Sequence, residues 1–334
     1  MADAPKPQNE IVTAGVAFKQ PLVSHIYTAD PSAHVFDGRI YIYPSHDIET
    51  GAVEDDMGNH FQMDDYHVLS LAAPGEPVTD HGVALSLGDV PWADKQFWAP
   101  DAAYKNGNYY LVFPAKDKQG VFRIGVATSK SPTGPFVAHP KPIEGTFSID
   151  PCVFVDDDGK AYLYFGGLWG GQLQFWRNGV FNSEWETPST GDALCPKVGV
   201  LSEDFTRLEG GAKDVLIVDE AGKPLQASDE DRRYFEGPWL HKYRGLYYLS
   251  YSTGSTHYLV YATSESPLGP FTYRGRILNP VVGWTTHHSI VEFEGKWYLF
   301  YHDSVLSGGK THLRSVKVME LHYDSDGNII TMDP

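Results

Sequence analysis

A chain of 334 residues with 42 % apolar side chains can bury a substantial core, and its net charge of −17 sets it against nucleic acid and anionic lipid as partners. No run approaches the roughly 18–20 uninterrupted apolar residues of a membrane helix, and the two widely separated cysteines, Cys152 and Cys195, make no disulfide framework. The start, MADAPKPQNEIV, lacks a basic stretch leading into an apolar one, so no signal peptide is visible and a cytoplasmic site is expected, with a trimmed secreted form as the alternative.

The elements fall into five copies of one unit. In chain order these are AHVFDGRIYIYPS (33–45), AAYKNGNYYLVFPA (102–115), CVFVDDDGKAYLYFGG (152–167), WLHKYRGLYYLSYST (239–253) and SIVEFEGKWYLFYHD (289–303). Each is an apolar strand, a turn with glycine (Gly38, Gly107, Gly159, Gly245, Gly295) and a Tyr-rich strand. Asp37-Gly38, Asn106-Gly107 and Asp158-Gly159 accept positive φ and suit tight hairpins. A third strand is expected where GVATSKSPTGPF (125–136) and VYATSESPLGPF (260–271) follow the second and fourth hairpins, with a fourth strand near GRILNP (275–280). Short antiparallel strands repeated five times predict an all-β, five-bladed β-propeller, with residues 1–334 as one catalytic domain. Five units leave about 67 residues each, more than the ~40–45 of compact propeller repeats, so insertions are expected at 46–65 and 182–234.

Acids stand just upstream of four hairpins: Asp30, Asp101, Asp150 and Glu236; the fifth slot holds His287. The first strand of a propeller blade is innermost, so these residues should meet at one mouth of the central channel. Carboxylates crowded together raise each other's pKa values, an arrangement expected where chemistry uses them. Cleaving a glycosidic bond needs one protonated carboxyl and one ionised carboxylate. Asp30-Pro31, Pro100-Asp101, Asp150-Pro151 and Glu236-Gly237-Pro238 each set a proline beside the acid, which fixes φ nearby.

At these residues the chain resembles glycoside hydrolase family 43, through TADPSAHVF, FWAPDAAY, SIDPCVFVDDDGKAYLYFGG and YFEGPWLHKYRGLYYLSYS. The endings GWTTHHSIVEFEGKWYLFYHD and HLRSVKVMELHYDSDG resemble the metal-responsive β-xylosidases of that family. The resemblance implies a five-bladed propeller and an inverting mechanism, with Asp30 as general base, Glu236 as general acid and Asp150 tuning the acid's pKa. It further implies substrate contacts from Trp98, Asp101 and Arg314, and a divalent cation, Ca²⁺, at His287, with the adjacent His288 left open as the ligand. Asp101 would support the pocket rather than perform chemistry. The implied partner is a xylooligosaccharide or an arabinoxylan-derived oligosaccharide, cleaved by an exo-acting β-xylosidase. α-L-Arabinofuranosidase or dual activity stays open, as do a sugar-binding or scaffold propeller without catalysis and the oligomeric state.

Three other signals lead nowhere. Ser307-Gly308-Gly309-Lys310-Thr311 lacks a P-loop's first glycine, since Ser304 stands there. DDDG at 156–159 has Phe154 where a calcium loop needs aspartate. His60 and His67 flank an acidic insertion and read as a solvated loop, with a metal role as the alternative.

Overall fold

The computed structural model describes residues 10–334, and among these it is all-β: five sheets of three to five strands and one two-stranded hairpin. The innermost strands are Tyr27–Phe36, Asp101–Lys105, Cys152–Val155, Glu236–Tyr243 and His288–Phe293. Each touches the next, and the last packs on the first, so the five sheets close into a β-propeller. The hairpins are those expected. Pairs Phe36↔Arg39, Lys105↔Asn108, Tyr243↔Leu246 and Phe293↔Lys296 leave two-residue turns, and both central residues of each have positive φ. That geometry matches the natural twist of the strands it joins. The third hairpin departs from the expectation. Val155↔Ala161 closes a five-residue loop in which Gly159, but not Asp158, is left-handed.

The insertion at 182–234 is corrected. It contains the two outer strands of the third blade, Lys197–Leu201 and Leu208–Asp214, as well as Ile217–Val218, which pairs in parallel at the edge of the fourth sheet. The surplus of that blade lies earlier, between Ala161–Phe165 and Lys197–Leu201, in two 3₁₀ turns and the small hairpin Trp176–Arg177/Val180–Phe181. The surplus at 46–65 does lie between strands Arg39–Asp47 and Asp65–Leu71 of the first blade.

Among the described residues the fifth blade has three strands, His288–Phe293, Lys296–Asp303 and Ser315–Leu321. Its outer edge is covered by the N-terminal segment: the Lys19 and Leu22 amides donate to the Val318 and Val316 carbonyls at 3.0 and 2.8 Å. Leu22 and Val23 are buried against Phe300, Val316 and Val318. Upstream, Ile11–Gly15 joins the edge of the first sheet, so one stretch of chain ties first blade to last. Between blades the cores are aromatic and aliphatic, as in the stack of Tyr66 on Phe97 and of Tyr110 on Phe205.

Candidate active site

Three of the four acids come together. Asp30, Asp150 and Glu236 line one pocket of about 240 Å³ with Trp98, His287 and Arg314. The strands deliver them through a shared irregularity. Asp30 (φ 48°) and Asp150 (φ 56°) are left-handed and precede Pro31 and Pro151. In the fourth blade the left-handed residue before proline is Gly237 (φ 65°), and Glu236 enters one residue earlier. Register breaks between Ala29 and Ser32 and between Glu236 and Trp239 mark the accompanying bulges. A non-glycine residue at positive φ costs energy and is found where the surrounding structure holds it. Bulges re-aim side chains at the rims of sheets, and here they turn carboxyls out of the ladder and into the pocket.

The environments of the acids differ. Asp30 Oδ1 accepts from Arg314 Nη1 at 2.8 Å and Oδ2 from the Ser45 hydroxyl at 2.7 Å. Burial pushes this carboxyl up, but Arg314 above all, with His302, His287 and Ser45, outweighs it and holds Asp30 at about 2. Glu236 has no such cation against it. Enclosure in the pocket wall and the charge of Asp30 raise it to about 8, with a smaller opposing pull from Arg314. Asp150 is raised to about 7 by burial, against His287, with Glu236 and Asp30 adding to the rise. One Asp150 oxygen accepts the Gly237 N–H at 2.9 Å, so it grips the backbone next to Glu236. At neutral pH the pocket therefore holds an ionised Asp30 beside a proton-bearing Glu236.

Asp101 does not reach the pocket, which corrects its place among substrate contacts. It is 1 % exposed, and its carboxylate is used up by Ser32, His34, the Val153 amide and its own neighbour Ala102. It brackets the first three blades beneath the site. Trp98 does line the pocket; its Nε1–H donates to the Phe61 carbonyl at 3.0 Å. Arg314 is 3 % exposed and bridges two acids, with Nε and Nη2 on the Asp47 carboxylate at 2.9 and 2.8 Å. His287 lines the pocket with Nδ1 3.6 Å from Asp30 Oδ1, whereas His288 is buried away from it on the Ser250 hydroxyl at 2.6 Å.

In and behind the pocket stand groups that the repeat pattern could not reveal. Asp47, buried behind Arg314, fixes the guanidinium. His302 accepts the Asp30 amide at Nδ1, 3.0 Å, so its proton sits on Nε2, which faces the Thr285 carbonyl and hydroxyl; burial drives its pKa down to about 3 and keeps it neutral. The insertion at 46–65 forms one wall with Glu54, Asp55, His60 and Phe61. The opposite wall is aromatic: Trp169 lies 5.5 Å from Trp284, and both rings contact Phe235, the neighbour of Glu236. Glycines let these walls close. A Cβ on Gly58 would stand 2.7 Å from the Trp98 ring, and one on Gly170 would stand 2.6 Å from the Met57 carbonyl.

A further group of potential metal ligands stands elsewhere. Among the described residues, three ligating side chains gather at His46, Asp65 and His67, able to hold a metal ion and outside the pocket. His67 is thus no solvated loop residue; it lies in the strand Asp65–Leu71.

A propeller whose axial pocket sets an ionised carboxylate against a protonated one, between aromatic walls, has the equipment of a glycosidase. Residues 18–329 match the model of glycosyl hydrolases family 43, and the chain belongs to that family. It is 59 % identical over 324 residues to xylosidase/arabinosidase 43A of Humicola insolens, covering 94 % of this chain and 99 % of that one. The crystal structure of a β-xylosidase/α-arabinofuranosidase of the family from a compost microbial metagenome, with xylotriose and calcium-free, superposes with a TM-score of 0.93 at 61 % identity, covering 96 % of this chain and 98 % of that one. A family 43 enzyme of Xanthomonas citri complexed with xylotriose superposes with a TM-score of 0.90 at 58 % identity, covering 94 % and 93 %.

Proposed function

We propose that this chain is an inverting, exo-acting β-xylosidase that releases xylose from xylooligosaccharides, with residues 1–334 as one catalytic domain. The observation that carries the assignment of roles is the opposite treatment of two acids in one pocket: Asp30 clamped by Arg314, Glu236 left without a cation partner. Asp30, ionised, takes a proton from water as the water oxygen bonds to the anomeric carbon. Glu236 gives its proton to the glycosidic oxygen as the old bond breaks. Asp150 holds the Gly237 amide and so orients Glu236, the acid whose pKa it is proposed to tune. Trp98, Trp169 and Trp284 offer faces for a sugar ring, and the wall built by 46–65 suits a substrate that enters by its end.

A divalent cation at His287 fits the residues present. Ca²⁺ prefers oxygen ligands, and His287 offers one nitrogen beside the carboxylates of Asp30 and Asp150, leaving water to complete the shell. When bound, the ion would supply positive charge next to those carboxylates. This is the basis for placing the chain with metal-responsive β-xylosidases. Dual activity on α-L-arabinofuranosides is supported by the names of the relatives, which couple both activities. Turnover of aryl β-xyloside and aryl α-L-arabinofuranoside by the wild type and by Glu236→Ala tests the reading. Xyloside is expected to be the better substrate, and the variant should lose roughly 10²–10⁴-fold with a poor leaving group. An unchanged rate in the variant would remove Glu236 from the mechanism.

A further inference from the structure

The group His46, Asp65 and His67 has no part in the chemistry above, yet it is built as a ligand set. Two neighbouring strands of the first blade supply it, Arg39–Asp47 and Asp65–Leu71, and the next strand, Pro77–Ser86, lies beside them. Asp65 and His67 are two apart in one strand, so they share a face. His46 stands on the adjacent strand, which pairs with this one at Tyr41↔Ser70 and Ile42↔Leu69. The donor atoms of all three lie within 4.8 Å of one another. Asp65 Oδ1 stands 2.6 Å from His46 Nδ1 and 3.8 Å from His67 Nε2.

A fourth residue orients the set. Asp80 is 1 % exposed, and its Oδ1 faces His67 Nδ1 at 2.9 Å. An imidazole that donates from Nδ1 to a carboxylate turns the lone pair of Nε2 outward, which is how histidines that bind metals are commonly held. The other oxygen of Asp80 faces His25 Nε2 at 2.7 Å. His25 belongs to the N-terminal segment that covers the edge of the fifth blade. The chain of contacts therefore runs from the ligand set through Asp80 to the stretch that closes the ring.

We propose that His46, Asp65 and His67 form a transition-metal site of the zinc type, with Asp80 as the orienting carboxylate that couples it to ring closure. Two imidazoles and one carboxylate select zinc and its neighbours over Ca²⁺, which takes oxygen. Water completes the shell. The site is separate from the pocket cation proposed at His287 and differs from it in metal preference.

The experiment uses chelator-stripped full-length protein. Calorimetric titration with Zn²⁺ should show one saturable site, and a hundredfold excess over Kd should raise Tm by roughly 3–6 °C. His67→Gln and Asp65→Asn should abolish both effects. Asp80→Asn should weaken binding roughly 10–100-fold, and His287→Ala should leave binding intact. Each variant is compared with the wild type by circular dichroism without metal. Independently of variants, anomalous diffraction at the zinc edge from wild-type crystals with stoichiometric Zn²⁺ should place the ion between His46, Asp65 and His67. An ion found only elsewhere, absence of saturable binding, or binding indifferent to His67→Gln and Asp65→Asn would overturn the proposal.

Discussion

Arg314 decides the chemistry of individual residues in the pocket. Its guanidinium is shared between Asp47 and Asp30, and its charge opposes the protonation of both Asp30 and Glu236. In the proposed mechanism activity requires Asp30 ionised and Glu236 protonated. It should therefore fall as pH drops through the Asp30 value of about 2 and as pH rises through the Glu236 value of about 8. Arg314→Gln removes the positive charge, so both limbs of kcat/KM against pH should move to higher pH, the acid limb by more than about one unit. It also leaves two buried carboxylates unpaired, a loss of roughly 3–5 kcal/mol in urea unfolding. A profile that stays in place would mean that Arg314 does not set these ionisations.

The acids themselves were legible in the sequence, because each stands a short way upstream of a repeated hairpin and near a proline. Arg314 was legible only through resemblance. Asp47, Thr285 and His302 were not legible: Thr285 lines the pocket from a loop, and Asp47 and His302 act from behind it on Arg314 and Asp30, contacts that no repeated position announces. Asp101 shows the opposite failure: its position repeats, but a strand has two sides, and only the fold shows its oxygens consumed by Ser32, His34 and Val153. The metal-competent group needed the register between two strands separated by an insertion, which spacing alone does not supply.

Among the elements, the bulged entrance to the fourth inner strand is the most sensitive. Gly237 sits at φ 65°, and a Cβ there would lie 3.3 Å from the His287 ring. Gly245, in the turn of the same hairpin, sits at φ 82° with nothing within 4 Å of its added Cβ. Both glycine-to-alanine changes incur the left-handed strain of about 1–2 kcal/mol. Gly237→Ala should in addition lower kcat, because it displaces the amide that Asp150 holds and the carboxyl that precedes it. Gly245→Ala should lower Tm and keep kcat. Equal kcat in the two variants would show that the bulge has no part in positioning Glu236.

At the level of the whole molecule, ring closure depends on a short N-terminal stretch rather than on a fourth strand of the last blade. Leu22 is 1 % exposed within the seam between first and last blades. Leu22→Ala should cost roughly 2–5 kcal/mol in urea unfolding, while the pH profile of the surviving folded enzyme stays as in the wild type. Five inner strands around one axis bring residues more than 200 positions apart, Asp30 and Glu236, to the same pocket. The count of blades was legible from five glycine hairpins. The closing seam was not, because residues 19–22 pair without the alternation of a regular strand.

Inversion at the anomeric carbon is the consequence that depends most directly on Asp30 and Glu236 acting on opposite sides of one bond. Proton NMR of xylobiose hydrolysis, followed from the first seconds before mutarotation, reads it. The new reducing end should appear first as the α-anomer of xylose. Its first appearance as the β-anomer would require a covalent intermediate and would contradict the assignment of Asp30 as a base acting on water.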